Sequence, residues 1–172
     1  LILDCSRVDE DPIKVWQQHD DNLTKRSAWL NSLKLRRLYY KSESSGTDFS
    51  VGLMPQMRFR GGSDLREGVD VEFNANIPSE EVYTTPMKGD AEGVVYATMP
   101  LAYRGVLIEG FSLRFEKGRV VEAHAEKNEE ALRLMLNMDD GASMLGECAL
   151  VPYDSPIRKS GILFYSTLFD EN

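Results

Sequence analysis

The stretch Val71–Pro86, VEFNANIPSEEVYTTP, is the one around which the rest of the chain is read. It opens as a short strand-like run, passes through Asn74, Asn76 and Pro78, and closes on Tyr83, Thr84, Thr85 and Pro86. Asn, Pro and Ser beside a short apolar run mark a strand end entering a loop. A loop held by a rigid strand is a common seat of chemistry. Two adjacent carboxylates, Glu80 and Glu81, stand in this one. Like charges side by side repel unless a cation or a hydrogen-bond network balances them. Reading outward is therefore a search for that cation.

Downstream, residues 87–93 (MKGDAEG) read as a polar loop leading to a strand at Val94–Thr98. Leu107–Phe115 and Val120–Glu126 read as a hairpin turning at Lys117-Gly118, where Gly accepts positive φ. The alternation puts Val121, Ala123 and Ala125 on one face and Glu122, His124 and Glu126 on the other. His124 is thus expected on a wet face as a solvated side chain. Asn128 is expected to cap a helix with Glu129 and Glu130 in its first turn, where the dipole favours negative charge. Leu132, Met135 and Leu136 supply its apolar face, and Asp139-Asp140-Gly141 ends it. After GECALVP comes a turn through Asp154, Ser155 and Pro156, then a final strand expected at Ile162–Phe169.

Upstream, Leu1–Ser6 reads as a short apolar strand, and Asp9 to Asp11 as a turn into a helix. Asp11 suits the cap, and Pro12 suits the first helical position, where its missing N–H costs nothing. Ile13, Trp16, Leu23, Leu30 and Leu33 recur near helical spacing, so the helix is expected to reach about Leu33. Trp16 and Trp29 are expected as core or seam residues. Leu35–Lys41 and Phe49–Met54 read as two paired strands around a polar loop. The glycine-bearing segment 58–69 then suggests a boundary between about Met57 and Val69. These elements predict an α+β fold of mainly antiparallel strands with two helices.

With 172 residues, 42% hydrophobic and 28% charged, the chain is long enough for a folded domain and far from a disordered composition. A net charge of −8 disfavours a phosphate backbone as partner, so nucleic acid is not expected. No apolar run is long enough to span a bilayer, and no signal peptide opens the chain, so no membrane is expected either. Cys5 and Cys148 form no CxxC pair and sit in apolar contexts. Reduced, buried thiols in a cytoplasmic protein are expected. Leu1 is not a start methionine, and the chain ends directly after an apolar run, so it reads as an excerpt from a longer protein.

Carboxylates stand at three element ends: Glu81, Glu147 between Gly146 and Cys148, and the Asp170-Glu171 pair. Acids beside apolar runs are costly to bury unpaired. They either face solvent or bind something positive, and no arginine pattern nearby pairs them all. A shared divalent metal is an economical alternative. Spacing alone does not choose it over solvated acids, or over a non-enzymatic α+β interaction or dimerisation module.

Five segments carry more information: FNANIPSEEVYTTP, KGDAEGVVYATMPLAYRG, FEKGRVVEAHAEK, LGECALVPYDSPI and GILFYSTLFDEN. In this order and spacing they resemble the aminopeptidase T, aminopeptidase S and PepS family of bacterial metallo-aminopeptidases. The first helix and SGTDFSVGLM resemble the part of that family just before its catalytic domain. The resemblance implies a hydrolase that removes N-terminal residues from peptides, with two divalent ions (zinc or cobalt) and a homodimeric assembly. It implies that residues 1–69 are the end of an α/β N-terminal domain with its connection. Residues 70–172 would then be a partial catalytic domain, cut at its C-terminal end.

Residue by residue, the resemblance implies that Glu81 of PSEEV is a metal ligand and that Glu147 of LGE is a ligand able to bridge both metals. It implies a ligand role for Glu171 of FDEN as well, and none for Glu80, whose expected place is a solvated or hydrogen-bonding neighbour. Neither His19 nor His124 matches a ligand position. The family continues past FDEN with a histidine, a tyrosine and a later His/Asp pair, which this chain does not contain. The general base stays unassigned. The fragment is expected to be inactive alone.

Overall fold

The computed structural model describes residues 1–8 and 11–172. The turn expected from Asp9 therefore begins on Asp9 and Glu10, which lie outside the described residues. In chain order the first elements are α1 (Ile2–Cys5), α2 (Pro12–Ser32), β1 (Arg37–Ser42), β2 (Thr47–Leu53), β3 (Asp64–Leu65), β4 (Glu72–Phe73) and β5 (Val82–Thr84). There follow β6 (Pro86–Tyr96), β7 (Leu101–Tyr103), β8 (Val106–Ile108), β9 (Ser112–Glu116) and β10 (Arg119–His124). The last are α3 (Glu129–Leu136), β11 (Cys148–Leu150), α4 (Pro156–Ser160) and α5 (Thr167–Asp170). The fold is α+β with mainly antiparallel strands. It divides into two units, each gathered from separate segments.

One unit comprises Leu1–Lys34, Arg58–Thr84 and Ala149–Asn172. Its long element is α2, which starts as expected, with the Asp11 carboxylate accepting the Lys14 N–H at 3.1 Å. Trp16, Leu23 and Leu30 are buried along one side, together with the polar His19, Asp20 and Ser27. Trp29, expected in a core or seam, is instead 62% exposed.

Two strand expectations in this unit are corrected. Leu1–Ser6 is a turn of helix: the Cys5 and Ser6 amides donate to the Leu1 and Ile2 carbonyls at 2.8 and 2.9 Å. A short apolar run does not by itself distinguish helix from strand. Ile162–Phe169 folds back on itself. The Phe164 and Phe169 rings stack at 4.8 Å, and the Asp170 carboxylate accepts the Phe164 and Ser166 amides at 2.7 and 3.0 Å. A carboxylate that takes up local amides offers the backbone an alternative to a ladder. Tyr165, at φ 57, leaves the extended region altogether.

The second unit comprises Leu35–Met57 and Thr85–Cys148. Its sheet runs β1-β2-β6-β9-β10, with β7 and β8 as a separate hairpin. Phe49, Val51, Ala91, Phe115 and Cys148 form one buried cluster; Ile108, Ala123, Ala125 and Leu132 form another, closed by α3. The segment 87–93, expected as a polar loop, is most of β6, the middle strand. Its glycines look like a loop in sequence, but Gly93 marks a close backbone approach. At φ +107, a Cβ there would lie 2.2 Å from the Asp48 carbonyl oxygen.

The hairpin turns at Lys117-Gly118 as expected, but its first strand is split between β8 and β9, and Gly110 at φ 58 makes the break. A register shift between Val120 and Glu122 turns Val121 outward, so only Ala123 and Ala125 of the expected apolar face are buried. One extra residue in a bulge reverses the alternation. His124 is exposed as expected; its Nδ1 lies 2.7 Å from Glu129 Oε2. Asn128 occupies the cap position of α3 but gives no cap bond, donating instead to the Leu107 carbonyl at 2.6 Å.

Candidate functional site

The opening stretch is tied to α2 and to the residues before it. Asn74 donates to the Asp20 carboxylate at 2.8 Å. The next residue back on α2, His19, lies with Nε2 2.8 Å from the Ser79 carbonyl. A carbonyl only accepts, so Nε2 carries the proton of this bond. On the far side, the Tyr83 amide and carbonyl pair with Arg60, each at 2.9 Å, and the Thr84 hydroxyl donates to the Arg58 carbonyl at 3.1 Å. The loop is therefore held at both ends.

Between these anchors Glu80 is 1% exposed. Expected as a solvated or hydrogen-bonding neighbour, it is a buried ionic partner. Its cation is Arg7, whose Nε donates to Oε1 at 2.7 Å and whose Nη2 donates to Oε2 at 2.6 Å. Such a two-point pair fixes direction as well as distance. The His19 Nε2 is 3.6 Å from Oε1. The Glu80 amide donates to the Asn172 side-chain oxygen at 2.6 Å, and the Asn172 amide group donates to the Leu168 carbonyl at 2.8 Å.

That last pair of bonds joins the two segments of this unit that carry candidate ligands. Glu81 directly follows Glu80 and is half-buried at the entry to β5; Glu171 directly precedes Asn172, exposed at the end of α5. The segments holding these two carboxylates are thus pinned to each other across 92 positions of sequence. Glu147 belongs to the other unit, exposed just before β11. Carboxylates of this kind suit a divalent cation in chemistry. In number they fall short: among the described residues, no group of three or more His, Cys, Asp or Glu is placed to hold a metal ion.

Sequence reasoning missed Arg7, His19 and Asn172. Arg7 lies 73 positions from Glu80, behind an apolar run, and no local spacing links them. The signal available in the sequence was slight: His19 and Asp20 fall in helical register with Trp16 and Leu23 on α2.

Both thiols are free and buried. Burial first, and then the Glu147 charge, push the Cys148 thiol up to about 11, with a hydrogen bond to Tyr40 opposing. Burial likewise pushes the Tyr40 hydroxyl up to about 12. A group whose folded value is raised favours the folded state while protonated. For Cys148 that contribution is complete below the ordinary 9.0 and is lost as pH rises through about 11. Stability is therefore expected to fall between these limits, less steeply in Cys148→Ala. Urea unfolding at a series of pH values checks this, and an unchanged slope in the variant would count against it.

No helix among the described residues is long and apolar enough to cross a membrane. The family model described as thermophilic metalloprotease (M29) matches residues 1–172. Aminopeptidase AmpS of Bacillus subtilis is 46% identical over 172 residues, covering 99% of this chain and 41% of its own length. Aminopeptidase T of Thermus thermophilus gives the same identity and coverage. The solved structure of wild-type AmpT from Thermus thermophilus superposes with a TM-score of 0.88 over 94% of this chain and 40% of that one. A 2,5-dihydroxypyridine dioxygenase structure from Pseudomonas putida KT2440, 22% identical with a TM-score of 0.51, shows a likeness of fold alone. The chain spans about two-fifths of the length of the curated relatives it matches.

Proposed function

Since the chain belongs to the thermophilic metalloprotease (M29) family, we propose that the whole protein is a metal-dependent aminopeptidase that removes N-terminal residues from peptides. What supports this most directly is the 46% identity to aminopeptidases across the entire chain. The bond that joins the Glu81 and Glu171 segments adds to it. In this reading residues 1–69 close an α/β N-terminal domain, and residues 70–172 are part of the catalytic domain. Glu81, Glu147 and Glu171 are metal ligands, Glu147 bridging, and the remaining ligands come from outside residues 1–172.

The bound group is a pair of zinc or cobalt ions, which supplies a water of lowered pKa and polarisation of the scissile carbonyl. The residues of this chain hold and orient that group: Glu81 from the entry to β5, Glu171 from the end of α5. The enzyme is cytoplasmic and homodimeric, with peptides as its partners and neither nucleic acid nor membrane. The net charge of −8 over these 172 residues suits substrates that present a free ammonium group.

The test uses the protein at the full length of its relatives. Hydrolysis of an aminoacyl p-nitroanilide is expected, lost with a chelator and regained with zinc or cobalt. A well-folded full-length protein with no metal-dependent hydrolysis would overturn the reading and favour an interaction module.

A further inference from the structure

We infer that Glu80 is a positioning residue for its neighbours, with Arg7 and Asn172 as the two ends of one frame. The inference rests on the reading of Glu81 and Glu171 as ligands and adds a task for the acid immediately before Glu81, which has no ligand role. A surface carboxylate costs little; a buried one is expensive unless its partners are well placed. Glu80 is buried all the same, its carboxylate held at both oxygens by Arg7 and its backbone amide held by Asn172. Side chain and backbone of this residue are therefore both fixed, immediately before Glu81. Asn172 is fixed in turn by the Leu168 carbonyl, immediately after Glu171.

Arg7 itself sits in an unusual conformation. At φ 54 it occupies the left-handed region, which a residue with a side chain rarely adopts. It is held there by the surroundings. Its amide donates to the Asp4 carbonyl at 3.1 Å, and the preceding Ser6 carbonyl accepts the Trp16 indole N–H at 2.9 Å. Strained backbone persists where neighbours over-determine it, and it gathers at functional sites. The frame thus joins three separate segments, and two of them carry the candidate ligands. Partners that orient metal-binding carboxylates set affinity without touching the metal.

The experiment measures zinc affinity by competition with a chromophoric chelator, and the visible absorption of the cobalt(II) form, on the full-length protein. Glu80→Gln and Asn172→Ala are each compared with the parent, and Leu132→Ala in α3 serves as a control that loosens the fold away from the frame. Glu80→Gln and Asn172→Ala are expected to weaken zinc binding about 10- to 100-fold and to alter the cobalt bands. Leu132→Ala is expected to do neither. Affinity within about twofold of the parent in both frame variants, with unchanged bands, would overturn the inference while leaving the ligands in place. If Glu80→Gln does not fold, Asn172→Ala decides, because it removes only the bonds to the Glu80 amide and the Leu168 carbonyl and leaves the Arg7–Glu80 pair intact. A folded parent that binds neither metal would overturn the ligand reading itself, and this inference with it.

Discussion

Arg7→Met is expected to lower the stability of the full-length protein by about 3 kcal/mol, toward the lower end of what breaking a buried ion pair costs. The substitution keeps length and apolar volume but leaves the Glu80 carboxylate, 1% exposed, without its two-point partner. The cost sits at the lower end because the Arg7 side chain keeps 29% of its exposure, so water can reach the gap it leaves. His19, 3.6 Å from Glu80 Oε1, is a second cation only when protonated. Replacing both partners, Arg7→Met with Glu80→Leu, removes the stranded charge and is expected to recover much of the loss. Equilibrium unfolding in urea of the two single variants and the double checks this. A loss below about 1 kcal/mol in Arg7→Met would mean that the pair contributes no more than a surface bridge.

With the bridging role proposed for Glu147, Glu147→Gln is expected to reduce kcat/KM of the full-length protein by about 10³-fold, equivalent to about 4 kcal/mol of transition-state stabilisation. The amide is nearly the same shape as the carboxylate but does not bridge two cations as a charge. Glu147 is exposed, so the fold is expected to survive the change. Steady-state kinetics on a zinc-loaded sample, with metal content measured beside them, separate loss of metal from loss of chemistry. Activity within about threefold of the parent, at equal metal content, would remove Glu147 from the ligand set.

Much of the local structure was legible. Asp11 and Pro12 announced α2, the Lys117-Gly118 turn announced a hairpin, and the acids at 129 and 130 announced α3. Each signal is carried by a few neighbouring residues whose own backbone preferences decide the outcome. Where an element depends on distant partners, reading failed. The segment 87–93 belongs to a strand because β2 pairs with Ala91–Gly93 and β9 joins from Gly93 onward, against the local preference of its glycines. Val121 faces outward because of one bulge, and Ile162–Phe169 bends because Asp170 captures two amides of its own loop.

For the site, the chain order of motifs was enough to point to a metallo-aminopeptidase family, and the family match over residues 1–172 agrees. Motif order survives in a linear string. The partner of Glu80 does not, because an ion pair depends on distance in space and Arg7 is 73 positions away. The same holds for Asn172, which meets Glu80 across 92 positions. Sequence by itself determined the family and which elements form from local preference. Only the tertiary structure decided which cation neutralises the buried acid and which distant segments are tied together, because burial and hydrogen-bond geometry are properties of the packed chain.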